Sequence, residues 1–134
     1  MRRARILVVD DQAYVRDFLS EELGQDGYTV AGAGDGESIW RFLEHTKPDL
    51  VLLDLCLEGF QRWDLLKGLK QREPELPVLI LTAYDTYADD PRASQAAGYV
   101  VKSFVGLDRL KHEIAAILEK GSACSPDGCL ERLH

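Results

Sequence analysis

The sequence predicts an α/β fold, in which helices cover both faces of a parallel sheet. Short apolar runs recur along the chain, and segments with helical spacing of apolar residues separate them. The runs are apolar throughout rather than alternating, which is typical of strands buried on both faces. A chain of 134 residues accommodates one domain of this kind. We therefore expect a single three-layer domain with five strands and five helices.

Each predicted element follows from a local pattern. The predicted strands are residues 6–9, 28–31, 50–53, 78–81 and 99–101. The predicted helices are residues 12–23, 37–46, 63–71, 91–97 and 108–120. Gly24 and Gly121 are expected to end the first and last helices, and Gly32 is expected to begin a turn over residues 32–35. Pro91, with Asp90 as its cap, limits the fourth helix to about two turns.

Composition excludes several classes of protein. The chain has 16 basic and 23 acidic residues, which gives a net charge of -7 and disfavours a nucleic-acid or anionic-membrane surface. The N-terminal apolar stretch is only four residues long, so neither a signal peptide nor a membrane span is expected. We expect a cytoplasmic protein with protein partners. Cys56 is expected to be a small buried hydrophobe, and Cys124 and Cys129 receive no assignment.

Polar residues follow four of the apolar runs. Asp10 and Asp11 come after the first run and Asp54 after the third, so three carboxylates meet if these strands are neighbours. Carboxylates in contact repel one another unless a cation lies between them, which favours a hard divalent metal. Thr82 and Lys102 end the fourth and fifth runs. Together these residues provide what phosphoryl transfer needs: a nucleophile, a metal site and two donors for the phosphoryl oxygens.

Each of these residues also has a purely structural interpretation. Asp10 and Asp11 could cap the first helix, and Asp54 could be a turn residue at the end of a strand. Thr82 could be an ordinary strand residue, and Lys102 could be a solvated strand end. The occurrence of all five at strand ends favours the functional interpretation.

Four segments resemble the receiver domain of two-component response regulators. They are ILVVDD, LVLLDL, LILTA and YVVKSF, in the order of that family and near its spacings. The resemblance covers roughly residues 4–120, so we expect a receiver domain at residues 1–120 and a flexible tail or the start of a linker at residues 121–134. It implies a flavodoxin-like sheet with strand order 2-1-3-4-5.

The resemblance implies a role for each acidic residue. Asp54 would accept a phosphoryl group from a histidine kinase or a histidine phosphotransfer protein. Asp10 and Asp11 would hold Mg²⁺ together with Asp54 and the backbone carbonyl of Cys56. The protein would then be a signalling module whose phosphotransfer is self-catalysed, rather than an enzyme acting on a separate substrate.

The resemblance also implies how the signal is read and how long it lasts. Thr82 and Lys102 would bind the phosphoryl oxygens, and Tyr99 would rotate inward when Thr82 moves. The fourth helix, fifth strand and fifth helix would then contact a downstream protein, an output domain or a second copy in a homodimer, without direct nucleic-acid or membrane binding by this domain. Cys56 and Tyr84 would flank the hydrolytic water, and because neither is an acid or amide we expect slow self-dephosphorylation.

The chain departs from the family pattern at three places. Glu58 and Arg62 stand where the family usually has proline and glycine, which predicts an altered loop and a shifted start of the third helix. Ser103 follows Lys102 where the family usually has a cis-proline, so we expect a trans bond. The interval from Thr82 to Lys102 is about two residues shorter than usual, which predicts a remodelled partner surface.

Three other functions share some of these sequence features. A degenerate receiver would act as a phosphorylation-independent interaction module. An aspartate-nucleophile phosphatase is disfavoured, since Cys56 stands where such an enzyme needs an acid. A flavodoxin-like cofactor binder is disfavoured because no phosphate-binding loop follows the first strand. A stand-alone receiver and a fragment of a longer regulator both remain open.

Overall fold

The computed structural model of the protein describes residues 3–102 and 107–123. Its elements are β1 (Arg5–Val9), α1 (Ala13–Gln25), β2 (Thr29–Ala33), α2 (Gly36–His45), β3 (Leu50–Leu53), β4 (Cys56–Leu57), β5 (Phe60–Gln61), α3 (Trp63–Arg72), β6 (Val78–Thr82), a 3-10 helix (Pro91–Gln95), β7 (Gly98–Val101) and α4 (Asp108–Ala123). None of the helices in the described ranges is long and apolar enough to span a membrane.

Five parallel strands form one sheet in the order β2-β1-β3-β6-β7. Because β4 and β5 belong to a separate hairpin, this order is the predicted 2-1-3-4-5. Alternate residues of β1 face two different cores. Leu7 and Val9 lie in the core beside α2 and α3, whereas Ile6 and Val8 lie in the core beside α1 and α4. The predicted α/β class is confirmed. The inner strands β1, β3 and β6 are apolar and buried over nearly their whole length, as predicted, whereas the edge strands β2 and β7 are partly exposed.

The carboxyl ends of the parallel strands meet at one edge of the sheet. Backbone pairing continues past three of them: Asp10 N donates to Ala33 O at 3.0 Å, Asp54 N to Val9 O at 3.0 Å, and Lys102 N to Thr82 O at 2.7 Å. These bonds fix the backbone of the polar residues that follow the strands. The sheet therefore determines the backbone positions of these candidate site residues.

The fourth helix differs from its prediction. The sequence predicts an α-helix at residues 91–97, but Pro91–Gln95 forms a 3-10 helix, so four α-helices and one 3-10 helix flank the sheet within residues 3–102 and 107–123. The predicted cap is present, since the Asp90 carboxylate accepts a hydrogen bond from Arg92 N at 2.9 Å. Ala97 N donates to Val78 O at 2.8 Å, and this bond draws the chain into β7 before an α-helix can form.

The boundaries of three other elements also differ. β2 covers Thr29–Ala33, and pairing with Val8 and Val9 extends it through part of the turn expected at residues 32–35. Gly24 does not end α1, and Gly121 does not end α4, which continues to Ala123. Hydrogen bonds from Gly27 N to Gly24 O and from Tyr28 N to Leu23 O end α1, with Gly27 at φ 96°.

The loop after Asp54 contains a β-hairpin that the sequence did not predict. Cys56 pairs with Gln61 and Leu57 with Phe60. The two turn residues, Glu58 and Gly59, have φ of 54° and 84°, as a type I′ turn requires. The helix α3 then begins at Trp63, the predicted residue. The Lys102-Ser103 bond, Cys124 and Cys129 lie outside the described residues.

Substitutions of Gly24 and Gly27 by alanine should change stability in opposite directions. Among the described residues, no atom beyond the immediate neighbours lies within 4 Å of a Cβ added at either position. Gly24→Ala should raise the free energy of unfolding by about 0.5–1 kcal/mol, because alanine favours the helix. Gly27→Ala should lower it by about 1 kcal/mol, because φ 96° is strained for alanine. Urea denaturation measures both, and changes of the same sign would contradict this description of the helix end.

Candidate functional site

Three carboxylates converge at the carboxyl edge of the sheet. One oxygen each from Asp10, Asp11 and Asp54 lies within 4.8 Å of the other two. Asp10 and Asp54 are buried, with 2% and 6% of their surface exposed, whereas Asp11 is exposed. The cluster is therefore closed on the side of the sheet and open to solvent at Asp11.

A backbone amide holds each carboxylate. Gln12 N donates to Asp10 Oδ1 at 2.9 Å, and Cys56 N donates to Asp54 Oδ1 at 3.0 Å. The bond to Asp11 comes from farther along the chain, where Glu58 N donates to Asp11 Oδ2 at 2.8 Å. These bonds orient the three carboxylates before any ligand arrives.

Lys102 lies between the two buried carboxylates. Its Nζ is 2.6 Å from Asp10 Oδ2 and 2.8 Å from Asp54 Oδ2. Burial alone would lower the pKa of Lys102, but the hydrogen bonds to Asp10 and Asp54 raise that pKa above its ordinary value. Burial raises the pKa of Asp54, and Lys102 only partly offsets this effect. The ammonium thus stays charged and reduces the repulsion between the two acids.

The donor set fits a hard divalent cation. Three carboxylates and one ammonium leave an excess of negative charge, and carboxylate oxygens are the ligands that Mg²⁺ and Ca²⁺ prefer. Asp11 is exposed and leaves room for the water ligands that Mg²⁺ usually keeps. The residues present could therefore hold such an ion.

Thr82 provides a hydrogen-bonding group without a well-formed hydrogen bond. The residue is fully buried at the end of β6, and its Oγ1 makes no hydrogen bond of ordinary geometry to a described residue, although it lies close enough to the Cys56 thiol to lower the pKa of that thiol. A buried hydroxyl without a partner is unfavourable. Because β6 pairs with β3, which precedes Asp54, this hydroxyl is available to an oxygen of a ligand bound at the same sheet edge.

Tyr99, Tyr84 and Cys56 surround this centre. Tyr99 is half-buried and donates its hydroxyl hydrogen bond to the Tyr84 carbonyl, while 53% of Tyr84 is exposed. Cys56 is half-buried rather than fully buried, because it begins the hairpin instead of continuing the sheet. Burial, together with the nearby charge of Asp54, raises the pKa of the Cys56 thiol, so the thiol stays protonated.

The structure brings together the five polar residues that follow or end the strands, but sequence reasoning missed several of their partners. Arg16 Nη1 donates to the Asp10 carbonyl at 2.6 Å. The sequence also did not indicate a contact outside the five, in which Gln61 Nε2 donates to Tyr87 Oη at 2.7 Å. Gly59 was a possible turn signal, but nothing in the sequence indicated that the Glu58 amide would contact Asp11.

Comparison with known proteins identifies the family. Residues 6–115 match the model of the response regulator receiver domain. The chain is 34% identical to the probable transcriptional regulatory protein TcrX of Mycobacterium tuberculosis, covering 95% of this chain and 57% of that protein. It is 33% identical to the alkaline phosphatase synthesis transcriptional regulatory protein PhoP of Bacillus subtilis, covering 91% of this chain and 51% of that protein. The chain thus spans about half the length of these relatives.

Solved structures agree in fold and sequence. The response regulator TrrA of Thermotoga maritima, in complex with Mg²⁺-BeF, is 34% identical with a TM-score of 0.79, covering 85% of this chain and 98% of that one. TrrA in complex with the histidine kinase ThkA is 35% identical with a TM-score of 0.78, covering 86% and 98%. The chain therefore belongs to the response regulator receiver domain family.

Proposed function

We propose that this protein is a phosphorylation-switched module in which Asp54 accepts a phosphoryl group from the phosphohistidine of a histidine kinase or histidine phosphotransfer protein. The observation that carries the proposal is the convergence of Asp10, Asp11 and Asp54, with the Lys102 ammonium paired to Asp10 and Asp54. The complex of TrrA with a histidine kinase supports the class of donor.

We assign the metal site to the same acids. Asp10, Asp11 and Asp54 would hold Mg²⁺ with the backbone carbonyl of Cys56, and the Mg²⁺-BeF complex of TrrA supports this choice of ion. When bound, Mg²⁺ neutralises charge on the transferred phosphoryl oxygens. The hydrogen bonds from backbone amides to the three carboxylates limit the reorganisation that metal binding requires.

The other site residues act on the phosphoryl group. A carboxylate oxygen of Asp54 forms a bond to phosphorus while the bond from phosphorus to the donor histidine nitrogen breaks, and that nitrogen keeps the electron pair. Lys102 then moves its hydrogen bond from Asp54 to a phosphoryl oxygen. The Thr82 hydroxyl, which has no hydrogen bond of ordinary geometry to a described residue, donates to a second one. The product is an acyl phosphate on Asp54, and the donor histidine leaves as a neutral imidazole when its other ring nitrogen carries a proton, so the step needs no separate general acid.

Phosphorylation would be transmitted to a partner through movement of Thr82 and Tyr99. Tyr99 lies in β7 and is tied to the Tyr84 carbonyl, so its rotation would release the segment after β6. The partner surface would comprise the 3-10 helix, β7 and α4, and would contact a downstream protein, an output domain or a second copy of the chain. The receiver would occupy residues 1–120, with residues 121–134 as a tail or the start of a linker.

Incubation with a small phosphodonor and Mg²⁺ tests the phosphoacceptor. Intact mass spectrometry should show the gain of one phosphate, and Asp54→Asn should abolish it. Asp64→Asn is a matched control, because Asp64 is an exposed acid of α3 that pairs with Arg62 away from the cluster. No gain in the parent protein under any metal condition would instead indicate a phosphorylation-independent interaction module.

Replacement of Lys102 by methionine tests whether its ammonium offsets the negative charge of Asp10 and Asp54. Lys102→Met should destabilise the metal-free protein by about 3 kcal/mol, the lower end of the range for a broken buried ion pair. Mg²⁺ should raise the melting temperature of this variant more than that of the parent, because the ion no longer competes with the ammonium. Lys67→Met, at an exposed position of α3, is the control. A Mg²⁺-induced increase no larger than in the parent would contradict the proposed balance.

Replacement of Tyr84 by glutamate tests the control of dephosphorylation. The carboxylate should orient a water molecule toward the acyl phosphate and raise its decay rate by about 100-fold, the lower end of the range for a positioned general base. Tyr14→Glu makes the same chemical change at an exposed tyrosine of α1 and should leave the rate unchanged. Decay of phosphorylated protein is followed by intact mass. An unchanged rate in Tyr84→Glu would overturn the role of position 84.

A further inference from the structure

The β4-β5 hairpin contacts the acidic cluster at its exposed member. Glu58 N donates a hydrogen bond to Asp11 Oδ2 at 2.8 Å. Asp10 and Asp54 instead accept hydrogen bonds from the backbone amides two residues later in the sequence. The amide reaches Asp11 because Glu58 adopts φ 54°, a conformation that residues other than glycine rarely adopt. The position of Asp11 therefore depends on the hairpin as well as on β1.

Gln61 connects the hairpin to the segment between β6 and β7. It pairs with Cys56 across the hairpin, and both the nitrogen and the oxygen of its side-chain amide form hydrogen bonds. Its Nε2 donates to Tyr87 Oη at 2.7 Å, and its Oε1 accepts from Trp63 Nε1 at 3.2 Å. A side chain with both ends bonded has little freedom, so Gln61 ties the hairpin to Tyr87.

Aromatic contacts hold Tyr87 in place. Its ring meets the Trp63 ring edge-on, with centroids 6.1 Å apart, and the Tyr84 ring at 6.4 Å. Arg92 lies over the Trp63 ring at 4.5 Å and pairs with Asp90 at 2.8 Å. The segment between β6 and β7 is thus packed against the hairpin and the start of α3.

We propose that Gln61 and Tyr87 are positioning residues for the metal ligand Asp11. The Gln61-Tyr87 hydrogen bond stabilises the hairpin conformation in which the Glu58 amide orients the Asp11 carboxylate. Hydrogen bonds to ligating carboxylates contribute to metal affinity because they fix the ligand before the ion binds. The inference rests on the proposed function, since it requires that the acidic cluster bind Mg²⁺.

The same contacts link the metal site to the proposed switch. Tyr87 packs on Tyr84, whose carbonyl accepts the hydrogen bond from Tyr99. This connection runs through the hairpin and does not pass through Thr82. Because coupling between two sites is reciprocal, metal binding at Asp11 would favour the described arrangement of the segment between β6 and β7.

Calorimetric titration of the full chain with Mg²⁺ tests the proposal. Tyr87→Phe and Gln61→Met should each raise the Mg²⁺ dissociation constant about fivefold, the equivalent of one ordinary hydrogen bond. Gln61→Met also removes the bond from Trp63 Nε1, so the double variant should bind Mg²⁺ no more weakly than Gln61→Met alone, because the bond that Tyr87→Phe removes is already absent there. Tyr14→Phe removes a hydroxyl from an exposed tyrosine of α1 and is the matched control.

Amide hydrogen exchange separates positioning from a general loss of structure. In metal-free Tyr87→Phe, the Glu58 amide should exchange faster than in the parent, whereas amides of β1 and β3 should keep their parental rates. A Mg²⁺ dissociation constant that changes by less than about twofold in Tyr87→Phe would overturn the inference. Additive effects in the double variant would overturn it as well. If the parent binds no Mg²⁺, the proposed metal site fails and the inference fails with it.

Discussion

The structure depends on how two buried carboxylates of like charge are kept together. Asp10 and Asp54 follow adjacent strands of a parallel sheet, so the fold itself forces them into proximity. Lys102 follows an edge strand and places one ammonium within 2.8 Å of an oxygen of each. The cluster nevertheless keeps an excess of negative charge. The same charge that opposes folding in the absence of metal therefore attracts a divalent cation.

Two groups of contacts surround this centre and differ in what they respond to. Lys102 and Thr82 lie at the sheet edge where we propose that the phosphoryl group binds, and among the described residues the Thr82 hydroxyl has no hydrogen bond of ordinary geometry. The hairpin contacts Asp11, which we propose as a metal ligand only. Both groups lead to Tyr99, the first through the end of the sheet and the second through Tyr87 and Tyr84. Metal binding and phosphorylation could thus act on the same segment by separate routes.

The sequence predicted the sheet and the site residues for one physical reason. A strand buried on both faces must be apolar, so the first polar residue marks its end, and Asp10 and Asp54 each occupy such a position. Lys102 follows an edge strand that is only partly buried, and there the end of the apolar run alone indicated the position. Helix ends were less predictable. Gly24 and Gly27 are both plausible stops, and only the backbone hydrogen bonds select Gly27. The 3-10 helix was missed because the bond from Ala97 to β6 competes with helix formation, and that bond joins distant parts of the chain.

The hairpin was unpredictable because a type I′ turn usually contains asparagine or aspartate before glycine, whereas this chain has Glu58. The hydrogen bond from the hairpin to Asp11 depends on the residue at position 58. Proline, which the family usually has at this position, carries no amide hydrogen and holds φ near about -65°. A proline there could neither donate to Asp11 nor adopt the observed φ of 54°. The loss of proline is therefore more than a change in loop shape. It gives this chain a backbone donor for Asp11, and the Gln61-Tyr87 bond then becomes relevant to the metal site.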